Sequence, residues 1–554
     1  MYGNVYKSGS ELTYTHAPAL WSYDVSRDAY TLRSRESKPS YSATDFTPYN
    51  SIHWETALNY DRTFNKVHKV SLMGIYIQTQ YNNGYALPTS YRGVSGRATY
   101  GYRDTYLAEF NVGYNGSDKF AKGKRYALLP SMSLGWVISN EPFFKNNVSW
   151  VDFLKVRGSY GTAGNDKIGS YKYLYLYQFN SSGTRWDSGW DGAIYYFGET
   201  AQSAGKGLRE GALGNDNVTW EIAHKYNVGL DFYAFGNKLN FTTDVFLEKR
   251  NDILLIRQDI PTQTGLSTSI LPAQNAGKVT NKGFEVSASW NDKIGELGYN
   301  LGFNYTFARN TIDYIAEVEK KYPWQMQRGH SIGQTFGYTW TGKFYDFADL
   351  ENPDVPKPTY PVYPGDLMFE DLNGDGIIDD YDSGAIGKPT VPEIVYGFNV
   401  GLNYKNVYGT VFFQGAANVS SYYGAELTHE FKNNVQAKHL GRWVYDEEKG
   451  LDTRATATYP ALRLDGGSTA TRATSTFHQI NSAYLRVKSV ELGYNLPARL
   501  TKPFGISAMK VYLNGSNLFT FTDYKYIDPE YTSGSRGPYF PQTKFYSVGL
   551  NLNF

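Results

Sequence analysis

Apolar and polar residues alternate strictly along several stretches of this chain. Between residues 297 and 308 every second side chain is apolar, and the residues in between are small or polar. Residues 226–233 and 396–404 repeat the pattern. Alternation of this kind predicts β-strands with one apolar face, because successive side chains of a strand point to opposite sides. The apolar set of the first stretch is Leu297, Tyr299, Leu301, Phe303, Tyr305 and Phe307.

The length of these segments favours one all-β architecture over another. A soluble antiparallel sandwich also alternates, so a single segment leaves both a sandwich and a membrane barrel open. Segments of about ten residues or more suit a tilted membrane crossing, whereas sandwich strands centre near about five or six. The chain holds roughly fifteen to eighteen such segments. The pattern therefore predicts an all-β fold, a transmembrane antiparallel β-barrel.

Short and long connections alternate between the predicted strands. Residues 234–238, 291–296 and 405–407 form tight turns, and residues 248–282, 310–391 and 417–475 are predicted to be long loops. Outer-membrane barrels have short periplasmic turns and longer extracellular loops. The alternation supports a barrel and places the long loops outside the cell.

The last residues of the chain form an alternating strand that ends on an aromatic residue. Such a strand resembles the terminal signal that is recognised by the outer-membrane barrel assembly machinery. The residues of the predicted signal are Tyr546, Val548, Leu550, Leu552 and Phe554.

Composition excludes several classes of protein. The chain has 554 residues, among them 50 Tyr, 31 Phe and 55 Gly but no Cys, so disulfide frameworks and thiolate metal sites are excluded. Its formal net charge is +1 and its basic residues are scattered, so no nucleic-acid partner is expected. No run of about 18 apolar residues occurs, which argues against helical membrane spans. A barrel remains compatible with this low hydropathy, because lumen-facing residues are polar.

An acidic motif, DLNGDGIIDDYD, matches the spacing of a calcium loop at residues 371–382. Oxygen ligands at positions 1, 3, 5, 7, 9 and 12 surround a hard cation, and Gly376 allows the sharp turn. Asp382 replaces the usual Glu at position 12 and no helix flanks the loop, so a structural Ca²⁺ is expected, with a solvated acidic turn as the alternative. The motif lies in a predicted insert, residues 365–390, of an extracellular loop. The expected ligands are Asp371, Asn373, Asp375, the carbonyl of Ile377, Asp379 and Asp382.

No catalytic constellation stands out in the sequence. The eight histidines show no metal-ligand spacing, and no nucleophile elbow occurs. We therefore predict that the protein is not an enzyme. Aromatic residues in loops are candidates for stacking on a sugar or a peptide, with a girdle or packing role as the default. These residues are Trp186, Trp190, Tyr195 and Tyr196.

Several blocks of the chain resemble the SusC/RagA family of TonB-linked outer-membrane proteins. The blocks are GRATYGYRDTYLAEFNVGYNGSDKF (96–120), FLKVRGSYGTAGND (153–166), NAGKVTNKGFEV (275–286), GDLMFEDLNGDGIIDDYD (365–382) and YLNGSNLFTFTDYKYIDPE (512–530). The resemblance implies a barrel of about 22 strands that is filled by a plug domain. It also implies a TonB-contacting segment, a SusD-like surface lipoprotein as partner, and import of an oligosaccharide or a peptide across a Gram-negative outer membrane.

The resemblance also implies what residues 1–554 do not contain. We expect them to form most of the barrel, without the plug domain and without the segment that contacts TonB. Met1 opens directly into a polar stretch without a leader, so the chain is expected to lack its true N-terminus.

Three other functions stay open at this level. They are a glycan-binding or adhesive β-protein, a non-functional truncated remnant, and an outer-membrane enzyme. The position of the apolar faces separates the barrel from the soluble protein. A barrel exposes them to lipid around a polar lumen, whereas a sandwich buries them between two sheets.

Overall fold

The chain folds around one antiparallel sheet of sixteen strands. The computed structural model describes residues 49–83, 88–167, 213–257, 260, 271–422, 436–463, 469–524, 528–530 and 542–554, and the backbone of short strands between residues 2 and 45 and between 179 and 210. The strands of the sheet are β1 Tyr2–Val5, β2 Tyr49–Phe64, β3 His68–Asn83, β4 Thr89–Tyr102, β5 Tyr106–Ser117, β6 Tyr126–Val137, β7 Val151–Asn165, β8 Glu221–Ala234, β9 Leu239–Ile256, β10 Ala273–Ile294, β11 Leu297–Tyr314, β12 Ile394–Tyr404, β13 Val407–Ala417, β14 Tyr484–Asn495, β15 Ala508–Thr522 and β16 Phe545–Asn553.

The order of the strands in the sheet is their order along the chain. This up-and-down arrangement confirms the predicted antiparallel barrel architecture and falls within the predicted number of strands. The predicted boundaries of the long connections need correction. Residues 248–282 are mostly strand, because the ladder between β9 and β10 continues through Lys249 and Arg250 and resumes at Ile253. The other two long connections run from 315 to 393 and from 418 to 483.

Apolar side chains cover one face of the sheet and remain exposed. Leu58 is 77% exposed and Val548 is 75% exposed. In register, Leu301 lies beside Val400, and Val400 lies beside Val411, so the apolar face continues from strand to strand. A soluble sandwich would bury these side chains between two sheets, so that alternative is wrong. The exposed apolar face is the surface that a membrane barrel turns toward lipid.

Tight turns join the strands at one end of the sheet. The turn between β2 and β3 has consecutive positive φ values of 48° at Asn65 and 59° at Lys66. Two such residues in succession match the right-handed twist of the flanking strands. Only Gly295 and Glu296 separate β10 from β11, and only Lys405 and Asn406 separate β12 from β13. The predicted tight turns are confirmed at these positions.

Short elements fill the remaining connections. No described helix is both long and apolar enough to cross a membrane. The helices are Pro142–Lys145, Phe347–Glu351, Thr469–Arg472 and Ala498–Thr501, with 3₁₀ turns at Ile138–Asn140, Pro323–Gln325, Asp380–Asp382, Ala437–Gly441 and Lys502–Phe504. The short strand pairs are Ser10–Thr15 with Ser40–Asp45, Leu20–Asp24 with Ala29–Ser34, Phe179–Ser181 with Leu208–Glu210, Ile194–Phe197 with Ser203–Lys206, Thr335–Gly337 with Gly384–Ile386, Trp340–Phe344 with Leu367–Phe369, Lys357–Pro358 with Ile377–Ile378, Ser420–Tyr422 with Gln479–Asn481, and Tyr445–Asp446 with Leu451–Asp452.

Candidate functional site

Two long connections pack together at the end of the sheet opposite the tight turns. The connection from 315 to 393 contributes Leu367, Phe369 and Ile378, and the connection from 418 to 483 contributes Ala470 to the same buried cluster. A backbone bridge between Tyr338 and Ser475 also joins them. We call these two packed connections the cap. Its core is apolar and is shared by both connections, so the cap is a folded unit rather than a pair of independent loops.

The predicted calcium loop lies on the cap, and its first half is shaped by carboxylate and amide oxygens. The two side-chain oxygens of Asp371 accept hydrogen bonds from the N–H groups of Gly374 (2.7 Å) and Gly376 (2.8 Å). The side-chain oxygen of Asn373 accepts from Asp375 N–H at 2.9 Å. Gly374 and Gly376 have φ values of +75° and +80°, which favour glycine. The local sequence therefore dictates the tight winding of the loop.

The second half of the loop is closed by Asp382. This side chain is fully buried, and its oxygens accept from Leu372 N–H (2.8 Å) and Asp379 N–H (2.9 Å). Ile378 is 1% exposed and packs into the cap core, whereas Ile377 is 45% exposed. Asp382 therefore links the start of the loop to its end.

The loop oxygens are engaged by donors of the loop itself. Among the described residues no three His, Cys, Asp or Glu side chains converge at metal-binding distance. Asn373 donates from its amide to Asp375 (2.9 Å), and Asp379 accepts from Tyr381 N–H (2.7 Å). All the atoms that the motif offers as metal ligands are oxygens, the ligand type that Ca²⁺ prefers. The chemistry of the set fits a hard cation, and binding requires the side chains to turn toward a common centre.

An aromatic group supports the loop from one side. Tyr322 and Trp324 stack with ring centroids 4.5 Å apart, and Trp324 donates to the carbonyl of Tyr381 at 2.8 Å. Burial and then the carboxylates of the loop, Asp380 foremost, raise the pKa of Tyr338 beneath it. The negative charge of the loop therefore disfavours ionisation of the Tyr338 hydroxyl.

The inner face of the sheet carries charged residues in a connected group. Arg157 on β7 binds Asp244 on β9 at 2.6 Å and Asp231 on β8 at 3.3 Å, and Lys155 lies 3.9 Å from Asp231. Arg157 lies over Gly229, where a Cβ atom would lie 2.5 Å from the guanidinium carbon and the arginine would have to shift. The absence of a side chain at Gly229 therefore leaves room for Arg157 to reach across β8 to Asp244 on β9.

Amide side chains line another part of the same face. Asn399 on β12 donates to Asn300 on β11 at 2.8 Å. A Cβ at Gly302 would collide with Asn399, so the glycine lets the amide lie against the wall. Further along, Glu491 accepts from Tyr408 and lies 3.0 Å from Lys510. This face offers donors and acceptors to a polar solute.

A buried arginine joins described residues of the connection between β15 and β16, residues 523–544, to the sheet. Arg486 on β14 is 1% exposed and binds Asp528 at 2.6 Å, Gln542 at 2.9 Å and Glu530. Asp528 and Glu530 belong to the YIDPE segment of the last resembling block. This group was not predicted from the sequence, although the two acidic residues of the short YIDPE segment were a usable signal for a basic partner. The group fixes the described residues 528–530 against the inner wall.

Four residues of the predicted assembly signal share one face of β16, and Phe554 follows its last residue. Tyr546, Val548 and Leu550 are 77%, 75% and 56% exposed, and Phe554 is 87% exposed. Leu552 and Leu550 lie beside Met509 and Val511 of β15. The strand thus presents its apolar side chains outward, and the role of these residues as a signal stays a prediction. The side chains of the loop aromatics Trp186, Trp190, Tyr195 and Tyr196 lie outside the described residues.

Comparison with known proteins places the chain in a family. Residues 2–518 match the family model described as TonB dependent receptor-like, beta-barrel. The chain is 28% identical to TonB-dependent receptor P3 of Formosa agariphila over 540 residues, which cover 91% of this chain and 50% of that protein. It is also 28% identical to TonB-dependent receptor SusC of Bacteroides thetaiotaomicron over 485 residues, 85% of this chain and 44% of that protein. The chain therefore spans about half the length of the curated relatives it matches.

Solved structures agree on the fold. The structure of the RagAB peptide importer in its closed-closed state superposes with a TM-score of 0.70 and 20% identity, covering 92% of this chain and 56% of that chain. The named relatives are receptors, and none of their names describes an enzyme. The predicted SusC/RagA relationship and the predicted location in a Gram-negative outer membrane are thus confirmed. The chain belongs to the TonB-dependent receptor-like β-barrel family.

Proposed function

We propose that this chain is the barrel of an outer-membrane importer for an oligosaccharide or a peptide. The observation that carries the proposal is the contrast between the two faces of the sheet. The outer face exposes apolar side chains such as Leu58 and Val548, whereas the inner face carries the Arg157 group and the Asn300–Asn399 pair. A barrel with a polar lumen holds water and polar solutes inside a membrane. Amides and paired charges suit the hydroxyl groups of sugars and the backbone of peptides equally well.

In this proposal, partner proteins supply the energy for import and capture the substrate. TonB acts through a plug segment that is not part of residues 1–554, and a SusD-like lipoprotein binds the substrate outside the cell. The names SusC and RagAB among the similar proteins support this arrangement. The cap lies at the long-connection end of the sheet, which faces the outside in barrels of this kind, so it is the surface that we assign to the lipoprotein. The proposal gives the chain no covalent step.

Uptake in living cells tests the proposal. The gene is deleted, and the strain is supplied with the full-length gene, with the full-length gene in a TonB-deficient background, or with an empty vector. We expect growth on the cognate oligosaccharide or peptide mixture only with the full-length gene and with TonB. Surface binding of labelled substrate without TonB-dependent uptake would instead support the adhesive or glycan-binding alternative. Unchanged growth of the deletion strain on every such substrate would point to the non-functional remnant.

We also propose that the loop at residues 371–382 binds Ca²⁺ and stiffens the cap. Its six oxygen positions, the glycine turns and the buried Asp382 support this. Ile378 connects the loop directly to the cap core, so a cation that orders the loop also orders the core. The residues that would hold the ion are Asp371, Asn373, Asp375, the carbonyl of Ile377, Asp379 and Asp382.

Calcium removal from the purified full-length protein tests this second proposal. With calcium present we expect the cap to resist protease, and with a chelator we expect cleavage between residues 315 and 393. The variant Asp371→Asn with Asp375→Asn should be cleaved in both conditions. The matched control is Asp354→Asn, an exposed aspartate of the same connection outside the loop. Equal protection of all three proteins with and without calcium would identify the loop as a solvated acidic turn.

A further inference from the structure

Four consecutive strands carry a basic residue at matching height on the outer face of the sheet. They are His224 on β8, Lys249 on β9, Lys282 on β10 and Arg309 on β11. His224 lies directly beside Lys249, and Lys282 lies directly beside Arg309. Lys282 faces Leu247, two residues from Lys249, so the two pairs form one diagonal band. We call these four residues the basic band.

The basic band begins where the apolar face ends. Two residues nearer the tight turns, the same strands carry Tyr226, Leu247, Phe284 and Phe307 on the same face. On β11 the apolar side chains run from Leu297 to Phe307 without interruption. A tilted strand crosses the hydrocarbon layer in about nine to eleven residues, so Phe307 lies near its edge and Arg309 lies beyond it. The band therefore lies at the level of the lipid headgroups, on the long-connection side.

No carboxylate of the described residues forms an ion pair with the two lysines of the band. Arg309 is held by buried Glu393 through two contacts of 2.7 Å each. His224 shares a hydrogen bond of 3.0 Å with the hydroxyl of Tyr160. Lys249 and Lys282 are exposed, and neither contacts a carboxylate within the described part of the chain. The exposed Asp313 on β11 accepts a hydrogen bond from Thr280 at 2.6 Å.

We propose that the basic band binds the phosphate groups of the phosphorylated glycolipid in the outer leaflet. Lysine side chains next to a hydrocarbon layer extend their ammonium groups to the headgroup level, where an anion compensates the charge. Arg309, fixed in place by Glu393 and lying over Phe307 at 5.5 Å, adds an oriented guanidinium to that anion site. The apolar row below the band contacts the acyl chains of the same lipid. The inference rests on the fold and its membrane location and is independent of transport.

Lipid retention by the full-length protein tests the proposal. The protein is purified from outer membranes in detergent, and native mass spectrometry measures its binding of added lipid A and of dephosphorylated lipid A. We expect the wild type to prefer the phosphorylated lipid. The affinity for that lipid should fall about fivefold for each lysine removed, and about 25-fold in Lys249→Gln with Lys282→Gln.

Two further variants make the result specific. Lys145→Gln with Lys293→Gln removes two exposed lysines near the tight turns and should bind lipid like the wild type. Lys249→Arg with Lys282→Arg keeps the charge and should also retain binding. Equal retention by the wild type and the glutamine variant would overturn the proposal. Equal binding of the dephosphorylated lipid would do the same, because contact with acyl chains would then be sufficient. Full displacement by inorganic phosphate at the concentration of the lipid would show a site for free phosphate instead.

Discussion

Replacement of Arg486 by Met should release residues 528–530, which precede β16, from the inner face of the sheet. The guanidinium is 1% exposed and lies between Asp528 and Glu530, whose side chains are 13% and 27% exposed. Without the arginine these two carboxylates remain partly buried, near each other and without a cation. Movement of the acids into water relieves this unfavourable arrangement.

The structure sets the size of the effect. Removal of one partner from a buried ion pair costs about 3–5 kcal/mol, because the remaining charge is uncompensated. Glu530 keeps about a quarter of its exposure, so we take the lower end, about 3 kcal/mol. This corresponds to a change of about 150-fold in the equilibrium between the docked and the released connection.

Hydrogen exchange on the full-length protein measures this change. The N–H of Glu530 donates to Asp528 at 3.0 Å and should exchange about 150-fold faster in the variant under conditions in which opening and closing are fast relative to exchange. Arg157→Met is the matched control, because this arginine lies on the same face but binds Asp231 and Asp244. It should accelerate exchange in β8 and β9 and leave Glu530 unchanged. Unchanged exchange of Glu530 in Arg486→Met, or an equal change in both variants, would refute the reasoning.

Three further outcomes are expected. Ile378→Ala should destabilise the cap by about 2–5 kcal/mol, because this side chain is 1% exposed. Ile377→Ala, at a 45% exposed position, should change the stability of the cap little, and protease sensitivity of residues 315–393 measures both effects. Burial raises the pKa of Tyr360 to about 12 from 10.0, so the folded cap binds this proton more tightly than the unfolded chain does. Its contribution should be complete below pH 10 and be lost as the pH rises toward 12, and Tyr360→Phe, followed by the same digestion, should remove this part of the alkaline transition. Phe554→Ala should lower the amount of assembled barrel in membranes without changing its melting temperature, because Phe554 is 87% exposed, and Phe504→Ala at 77% exposure is the control.

The sequence allowed the prediction of what depends on local periodicity. The apolar face from Leu297 to Phe307 was assigned correctly, since a period of two leaves no choice of face once the strand forms. The ends of β9 and β10 were assigned wrongly. Lys249 and Arg250 are polar and were assigned to a loop, although the ladder between the two strands continues through them. Strand ends that extend beyond the hydrocarbon layer are polar, so their amino-acid composition does not distinguish them from loops.

Contacts between segments that are far apart along the chain could not be predicted from the sequence. Ala470 joins the core beneath the calcium-like loop from another connection, and no pattern near either segment indicates this. The geometry of residues 371–382 was easier, because its glycine turns and side-chain acceptors are local. The predicted ion itself stays a prediction.

The up-and-down strand order has a consequence for how the protein reaches its native state. Each strand pairs with its neighbours along the chain, so the hairpins closed at 295–296 and 405–406 need almost no search in conformational space. The pairing of β11 with β12 must instead close the connection from 315 to 393, which costs roughly 3 kcal/mol more in chain entropy than a two-residue turn. A cap that has already collapsed holds Tyr314 and Glu393 closer together and lowers this cost. Assembly should therefore proceed as a series of preformed hairpins, with the collapse of the cap setting the pace of their joining.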